Sequence, residues 1–189
     1  MDTRRVLRMS HGEGRLPEAL RECGALQFGD FILASGARSE YYIDIKKAST
    51  DPAVLRIIAE EMAARMKEDG LRPDRIAGVV LGSVPLAAAL ALETGIPYVM
   101  VRKEKKDHGT GKLIEGILRE GDSVLVVEDV VTSAGSSISA IGTLREAGAK
   151  VSDVISVIDR EAGGRDALAG IGVTLRPLVT ASGILGRRR

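Results

Sequence analysis

Two adjacent carboxylates, Glu128 and Asp129, end the apolar run 124–127, and a loop of small residues follows them: Thr132, Ser133, Ala134, Gly135 and Ser136. Carboxylates accept hydrogen bonds and suit the neighbouring hydroxyls of a sugar ring. Small residues let backbone N–H groups approach an anion closely, and the N-terminus of a following helix adds the positive end of its dipole. Together these parts describe a sugar-phosphate site. Any one of them alone fits an ordinary strand-loop-helix unit with a polar end. The stretch is not a Walker phosphate loop, because no Gly-Lys-Ser/Thr follows the strand, and G-x-G-x-x-G is absent there.

Three further groups of residues could do chemistry. The stretch 102–112 holds Arg102, Lys103, Lys105, Lys106, His108 and Lys112 with glycines at 109 and 111. So dense a charge run cannot be buried without partners. It reads either as a solvated surface loop or as a hinged loop that closes over a polyanion. Four of the chain's five Phe and Tyr residues, Phe28, Phe31, Tyr41 and Tyr42, fall in one short stretch. They form either a miniature core or a wall against which a flat ring packs. Arg160 directly follows the apolar run 151–158. Its planar fork suits a carboxylate, although an isolated arginine at a strand end is more often a surface ion-pair member.

The elements that must position these groups alternate. Asp51-Pro52 is an N-cap acid followed by proline at the first helical position, and Val54, Leu55, Ile58, Met62 and Met66 continue at helical spacing to Gly70. Strands are expected at 75–81, 98–101, 123–127 and 151–158. Helices are expected at 85–94 and around Ile138, Ile141 and Leu144. A last strand at 173–179 contains Pro177 and belongs at an edge. Such alternation implies a parallel sheet with helices on both faces, an α/β domain. The first part differs: a short helix at 17–22, strand-like runs at 28–33 and 41–45, and a turn at 35–38 describe a small lobe over the sheet's carboxyl edge.

Composition excludes several classes. The chain has 189 residues, enough for one substantial domain, and a net charge of +1, which gives a generic nucleic-acid surface little support. The single cysteine, Cys23, rules out an internal disulfide framework and a cysteine-rich metal site. No apolar run is long enough to span a membrane. The polar start, with Arg4, Arg5, Arg8 and His11, lacks the apolar stretch of a secretory signal, and Arg187 to Arg189 read as a solvated tail. A cytoplasmic protein without membrane or nucleic-acid partners is the simplest expectation.

The 128–136 segment resembles the phosphoribosyl-pyrophosphate (PRPP) motif of type I phosphoribosyltransferases. Two other stretches are similar to orotate phosphoribosyltransferases in particular. One is the loop pattern Arg-Lys-x-x-Lys-x-His-Gly, here Arg102, Lys103, Lys106, His108 and Gly109. The other is the amino-terminal signature with Phe-x-Leu-x-Ser-Gly and Ser-x-Tyr, here spanning 28–42. The resemblance implies the type I phosphoribosyltransferase fold: one domain with a central, mostly parallel sheet flanked by helices, a PRPP-binding core at about 51–180 and an N-terminal hood lobe at about 15–45. It implies transfer of the phosphoribosyl group of PRPP to orotate. Lys106 and His108 would be catalytic. Arg102, Lys103, Glu128, Asp129, Val130, Val131 and the 132–136 loop (Thr132, Ser133, Ala134, Gly135, Ser136) would bind PRPP. Tyr42, Ile43, Thr132 and Arg160 would bind orotate. Mg²⁺ would travel mainly with PRPP, and a homodimer would share the charged loop between subunits. Two positions depart from the pattern: Ala34 stands where many members carry lysine, and Leu81-Gly82 where some carry Tyr-Lys. A transferase for another nucleobase and a nucleotide-sensing regulator of the same fold are the alternatives. The near-zero net charge and the lack of room for a helix-turn-helix domain weigh against the second.

Overall fold

The computed structural model describes residues 14–32, 38–102 and 112–186. Ala34, Lys103, Lys106, His108, His11 and the terminal arginines lie outside these residues.

Five parallel strands and one short antiparallel strand make the central sheet, in the order β5-β4-β3-β6-β7-β8. They are β3 (Arg75–Val79), β4 (Tyr98–Val101), β5 (Ile114–Glu115), β6 (Ser123–Val131), β7 (Lys150–Asp159) and β8 (Thr174–Thr180). Burial of both faces explains the near-continuous aliphatic runs. Within β6, Leu125 and Val127 join one core and Val124 and Val126 the other, as the period of two requires. The first core takes Ile57, Ile58 and Met62 of α3 (Pro52–Glu68) and Leu86 and Leu90 of α4 (Val84–Thr94). The second takes Ile141 and Leu144 of α5 (Gly135–Glu146) and Leu168 of α6 (Gly164–Ala169).

The Asp51 cap forms as expected, its Oδ1 accepting from the N–H groups of Ala53 (2.9 Å) and Val54 (3.2 Å). Pro177 sits in β8 at the sheet edge, where its missing N–H leaves no inner strand unpaired. The strand 123–127 is longer than its apolar run. It continues through both acids to Val131, because β7 is long enough to pair with it as far as Asp159. Three short helices were not visible as patterns: α2 (Ile45–Thr50), α6 and α7 (Ala181–Gly186), each of 6 residues. One or two turns carry too little periodicity to stand out.

The amino-terminal part consists of α1 (Arg15–Glu22) and a hairpin of β1 (Leu26–Ile32) and β2 (Arg38–Ile43), with a register shift between Phe28 and Phe31. Leu26, Tyr41 and Ile43 are buried in the first core, alongside α3 and the sheet. Burial also raises the pKa of the half-buried Cys23 thiol, in keeping with an unreactive side chain. No helix among the described residues is long and apolar enough to cross a membrane.

Candidate functional site

From β3 the chain winds through α4 to β4 on one side. From β6 it winds through α5 and α6 to β7 and β8 on the other. β3 and β6 are therefore neighbours at which the winding reverses, and the carboxyl ends of such neighbours splay apart into a crevice. Pairing between them stops at Gly78 and Val127, whereas β6 runs on to Val131. A cleft of about 370 Å³ opens there. Its walls are the turn after β3 (Leu81, Gly82, Ser83), the acids of β6, and the loop and first turn of α5 from Thr132 to Ser137.

The loop wall is built for close approach. Ala134 adopts φ 63°, in the left-handed region from which backbone anion nests are made. It directly precedes the N-terminus of the 12-residue α5, whose first N–H groups have no intrahelical acceptor. The hydroxyls of Thr132, Ser133 and Ser136 make no hydrogen bond among the described residues, and all three residues are exposed. Gly164 holds the loop from behind. A Cβ there would stand 2.5 Å from Val131 Cγ1 and 2.6 Å from Thr132 O, so only glycine lets α6 start against this backbone. On the opposite wall, a Cβ at Gly82 would collide with the Asp129 carboxylate.

The two acids play different structural parts. Asp129 is half-buried in the cleft wall, its Oδ1 accepting from the Val130 N–H at 2.8 Å. Glu128 is only 5% exposed. Its Oε2 accepts from Ser83 Oγ and its Oε1 from Ser137 Oγ, both at 2.8 Å. Ser83 Oγ in turn accepts from the Asp129 N–H at 3.2 Å. No sequence signal marked Ser83 or Ser137, since a serine in a turn or a first helical turn is ordinary. Among the described residues no cluster of three or more metal-ligating side chains occurs.

Beside the cleft, pairing of Val131 with Asp159 carries Arg160 next to Thr132, and the Arg160 N–H donates to Val131 O at 2.9 Å. Its guanidinium carbon lies 4.9 Å from the centroid of the Tyr41 ring. Asp159 does not neutralise it: that carboxylate accepts from the Glu161 N–H at 2.8 Å and pairs with Arg165 at 3.3 Å. Tyr42 lies on the other side of the strand, 41% exposed, its ring 5.6 Å from Phe31. Ile43 is buried in the core opposite Leu26. Thr132 and Arg160 are thus brought together. The aromatic that joins them is Tyr41, which faces the core side of β2 where Tyr42 does not. The four clustered aromatics divide between core and surface rather than forming one wall.

Arg102 ends β4. Its N–H donates to Leu113 O at 2.8 Å, and its Nε lies 3.3 Å from Glu115 Oε1 on β5. It flanks the charged loop and does not line the cleft.

Known proteins share this architecture. Residues 46–174 match the model of the phosphoribosyl transferase domain. The orotate phosphoribosyltransferase of Methanosarcina acetivorans is 53% identical over 167 residues, 88% of each chain. The crystal structure of orotate phosphoribosyltransferase from Aeropyrum pernix superposes with a TM-score of 0.82 at 35% identity, covering 91% of this chain and 97% of that one. The Mycobacterium tuberculosis H37Rv enzyme, solved in complex with PRPP, gives 0.75 at 28% identity, over 90% and 97%. With half its residues shared along nearly its whole length, and a crevice at the reversal of its sheet, this chain belongs to the phosphoribosyl transferase domain family and, within it, to the orotate phosphoribosyltransferases.

Proposed function

We infer that this chain joins N1 of orotate to C1 of PRPP, releasing pyrophosphate and forming orotidine 5′-monophosphate, and that the cleft at the carboxyl ends of β3 and β6 is where it does so. The carrying observation is the order of groups around that crevice. An anion-ready loop and helix N-terminus stand at one end, Asp129 in the middle, and Arg160 with Thr132 beside them.

The geometry supports a division of labour. The N–H groups and hydroxyls of 132–136 take the 5′-phosphate. Asp129 accepts from the ribose hydroxyls. The turn at 81–83 offers backbone to pyrophosphate. Arg160, held over Tyr41 and without a carboxylate partner among the described residues, takes the orotate carboxylate. Breaking the bond to a strong leaving group builds positive charge on the ribosyl centre, as glycosyl transfer generally does. Orotate attacks as an anion, so the protein contributes position and charge stabilisation rather than a strong base. The half-buried Asp129 carboxylate in the cleft wall fits beside a Mg²⁺ ion that would be carried mainly by PRPP. When bound, the ion supplies neutralisation of the pyrophosphate charge. Arg102 and Lys103 are proposed to hold the leaving pyrophosphate, and Lys106 and His108 to stabilise or protonate it, from a loop lent by a second subunit.

Two experiments test this reading. Mixing the protein with orotate, PRPP and Mg²⁺ should deplete the orotate absorbance, and a panel of other bases should leave PRPP unconsumed. Consumption with another base but not orotate would overturn the substrate. A mixed dimer of Lys106→Ala and Asp129→Ala chains should regain about one working site. No recovery would count against a shared loop.

A further inference from the structure

We propose that Glu128, unlike Asp129, acts on PRPP from behind. Its buried carboxylate clamps the turn after β3 to the first turn of α5 and so fixes the distance between the two anion-binding walls of the cleft. This rests on the reading of the cleft as the PRPP site.

Three observations carry it. First, both carboxylate oxygens are engaged by internal hydroxyls at 2.8 Å, and the two serines are 1% and 2% exposed. A carboxylate only accepts, so both hydroxyl protons must point inward to Glu128. The remaining lone pair of Ser83 Oγ then receives the Asp129 N–H, and the relay fixes the backbone of the neighbouring acid. Second, Ser83 occupies the N-cap of α4 yet makes no side-chain cap. A serine there ordinarily serves its own helix. Here its hydroxyl is spent on Glu128. Third, the partners stand at the N-terminal ends of two helices, Ser83 at the N-cap position of α4 and Ser137 third in α5. A buried carboxylate is costly unless hydrogen-bonded, and two positive helix ends with two charge-assisted bonds offset that cost. Glu128 therefore spans the turn beside pyrophosphate and the helix that holds the 5′-phosphate. It is a positioning residue rather than a ribose ligand.

The test compares Ser83→Ala, Ser137→Ala, their double variant and Glu128→Gln with the parent. Steady-state kinetics and calorimetric titration with inorganic pyrophosphate and with ribose 5-phosphate give the readouts. Either serine change opens the clamp and misplaces one anion-binding wall, so each should raise the KM for PRPP about tenfold. The KM for orotate should stay unchanged. The double variant should be no worse than the weaker single one, the non-additivity expected of parts of one device. Pyrophosphate and ribose 5-phosphate should weaken by similar factors. The clamp is overturned if the serine variants bind both ligands as the parent does, or if Glu128→Gln loses affinity for ribose 5-phosphate alone, which marks a direct ribose contact. Parent protein that binds pyrophosphate and leaves orotate unconsumed would overturn the assigned reaction, while the titrations would still decide the clamp.

Discussion

At the amino end of the sheet, Asp74 Oδ2 accepts both the N–H of Ser123 at 2.8 Å and its hydroxyl at 2.6 Å, and Asp122 Oδ2 takes Arg75 Nε at 3.1 Å and the Arg119 N–H at 3.0 Å. At the carboxyl end of the sheet, Thr132, Ser133 and Ser136 after β6 leave their hydroxyls unused among the described residues, and Arg160 after β7 rests against a ring instead of an acid. Both ends of β6 carry carboxylate and hydroxyl residues, Asp122 and Ser123 at one and Asp129 and Thr132 at the other. One end satisfies them internally. The other pairs Glu128 with Ser83 and Ser137 but leaves the hydroxyls of Thr132, Ser133 and Ser136 facing solvent. A substitution should therefore lose activity at the carboxyl end and stability at the amino end.

The largest effect is expected at Asp129. Asp129→Ala removes the carboxylate proposed to accept from the ribose hydroxyls, and losing hydrogen bonds to a charged group is worth roughly 1.5–3 kcal/mol, or about 10–100-fold in kcat/KM. Thermal denaturation should show little change, because the residue is half-exposed. A twofold effect or less in steady-state kinetics would remove Asp129 from the site. Next is Arg160→Ala, which should raise the KM for orotate by about tenfold or more while sparing that for PRPP. Arg160→Lys should recover only part, since a point charge lacks the fork. A change confined to the KM for PRPP would place the base elsewhere. Gly164→Ala belongs to both categories. Its Cβ would press on Val131 and Thr132, so overpacking of about 1–3 kcal/mol and a raised KM for PRPP should appear together. Stability lost without any change in KM would show that α6 yields and the loop does not.

This contrast explains what the amino-acid sequence made legible. The 124–136 stretch was readable because strand, acids, small loop and helix start are all local, and each has a chemical signature. The parallel sheet followed from alternation, and the Asp51-Pro52 helix start from its cap. What stayed hidden was long-range. That Arg160 meets Tyr41 rather than Tyr42 depends on which side of β2 faces the core, and two tyrosines in succession give no parity signal. Ser83 and Ser137 lie 45 and 9 positions from Glu128, and nothing local in either serine points to the acid. The short α2, α6 and α7 fell below the length at which helical period emerges from ordinary composition.

At the amino end, Asp122→Ala should strip Arg75, only 9% exposed, of its carboxylate partner and lower stability by about 1–3 kcal/mol in urea denaturation, with kcat/KM unchanged. Lost activity in a variant of parental stability would contradict the division between the two ends.

The smallest effect, and the one most specific to that end, concerns pH. The hydroxyl and the N–H of Ser123 both donate to the Asp74 carboxylate and hold its pKa below the ordinary carboxylate value. A carboxyl depressed in the folded state binds fewer protons there than in the unfolded chain. Its contribution is therefore complete above the unfolded pKa, about 3.9, and is lost as pH falls through the lower folded value. Asp74→Asn cannot titrate. The stability difference between parent and variant should be steady from neutral pH to about pH 5, then shrink as acid protonates the parent. Because Asp74 is exposed, solvent and salt screen the effect, and the shrinkage should be small and weaker at high ionic strength. A difference that grows toward acid would mean that the folded state favours the protonated carboxyl, and would remove Asp74 from the self-satisfied edge.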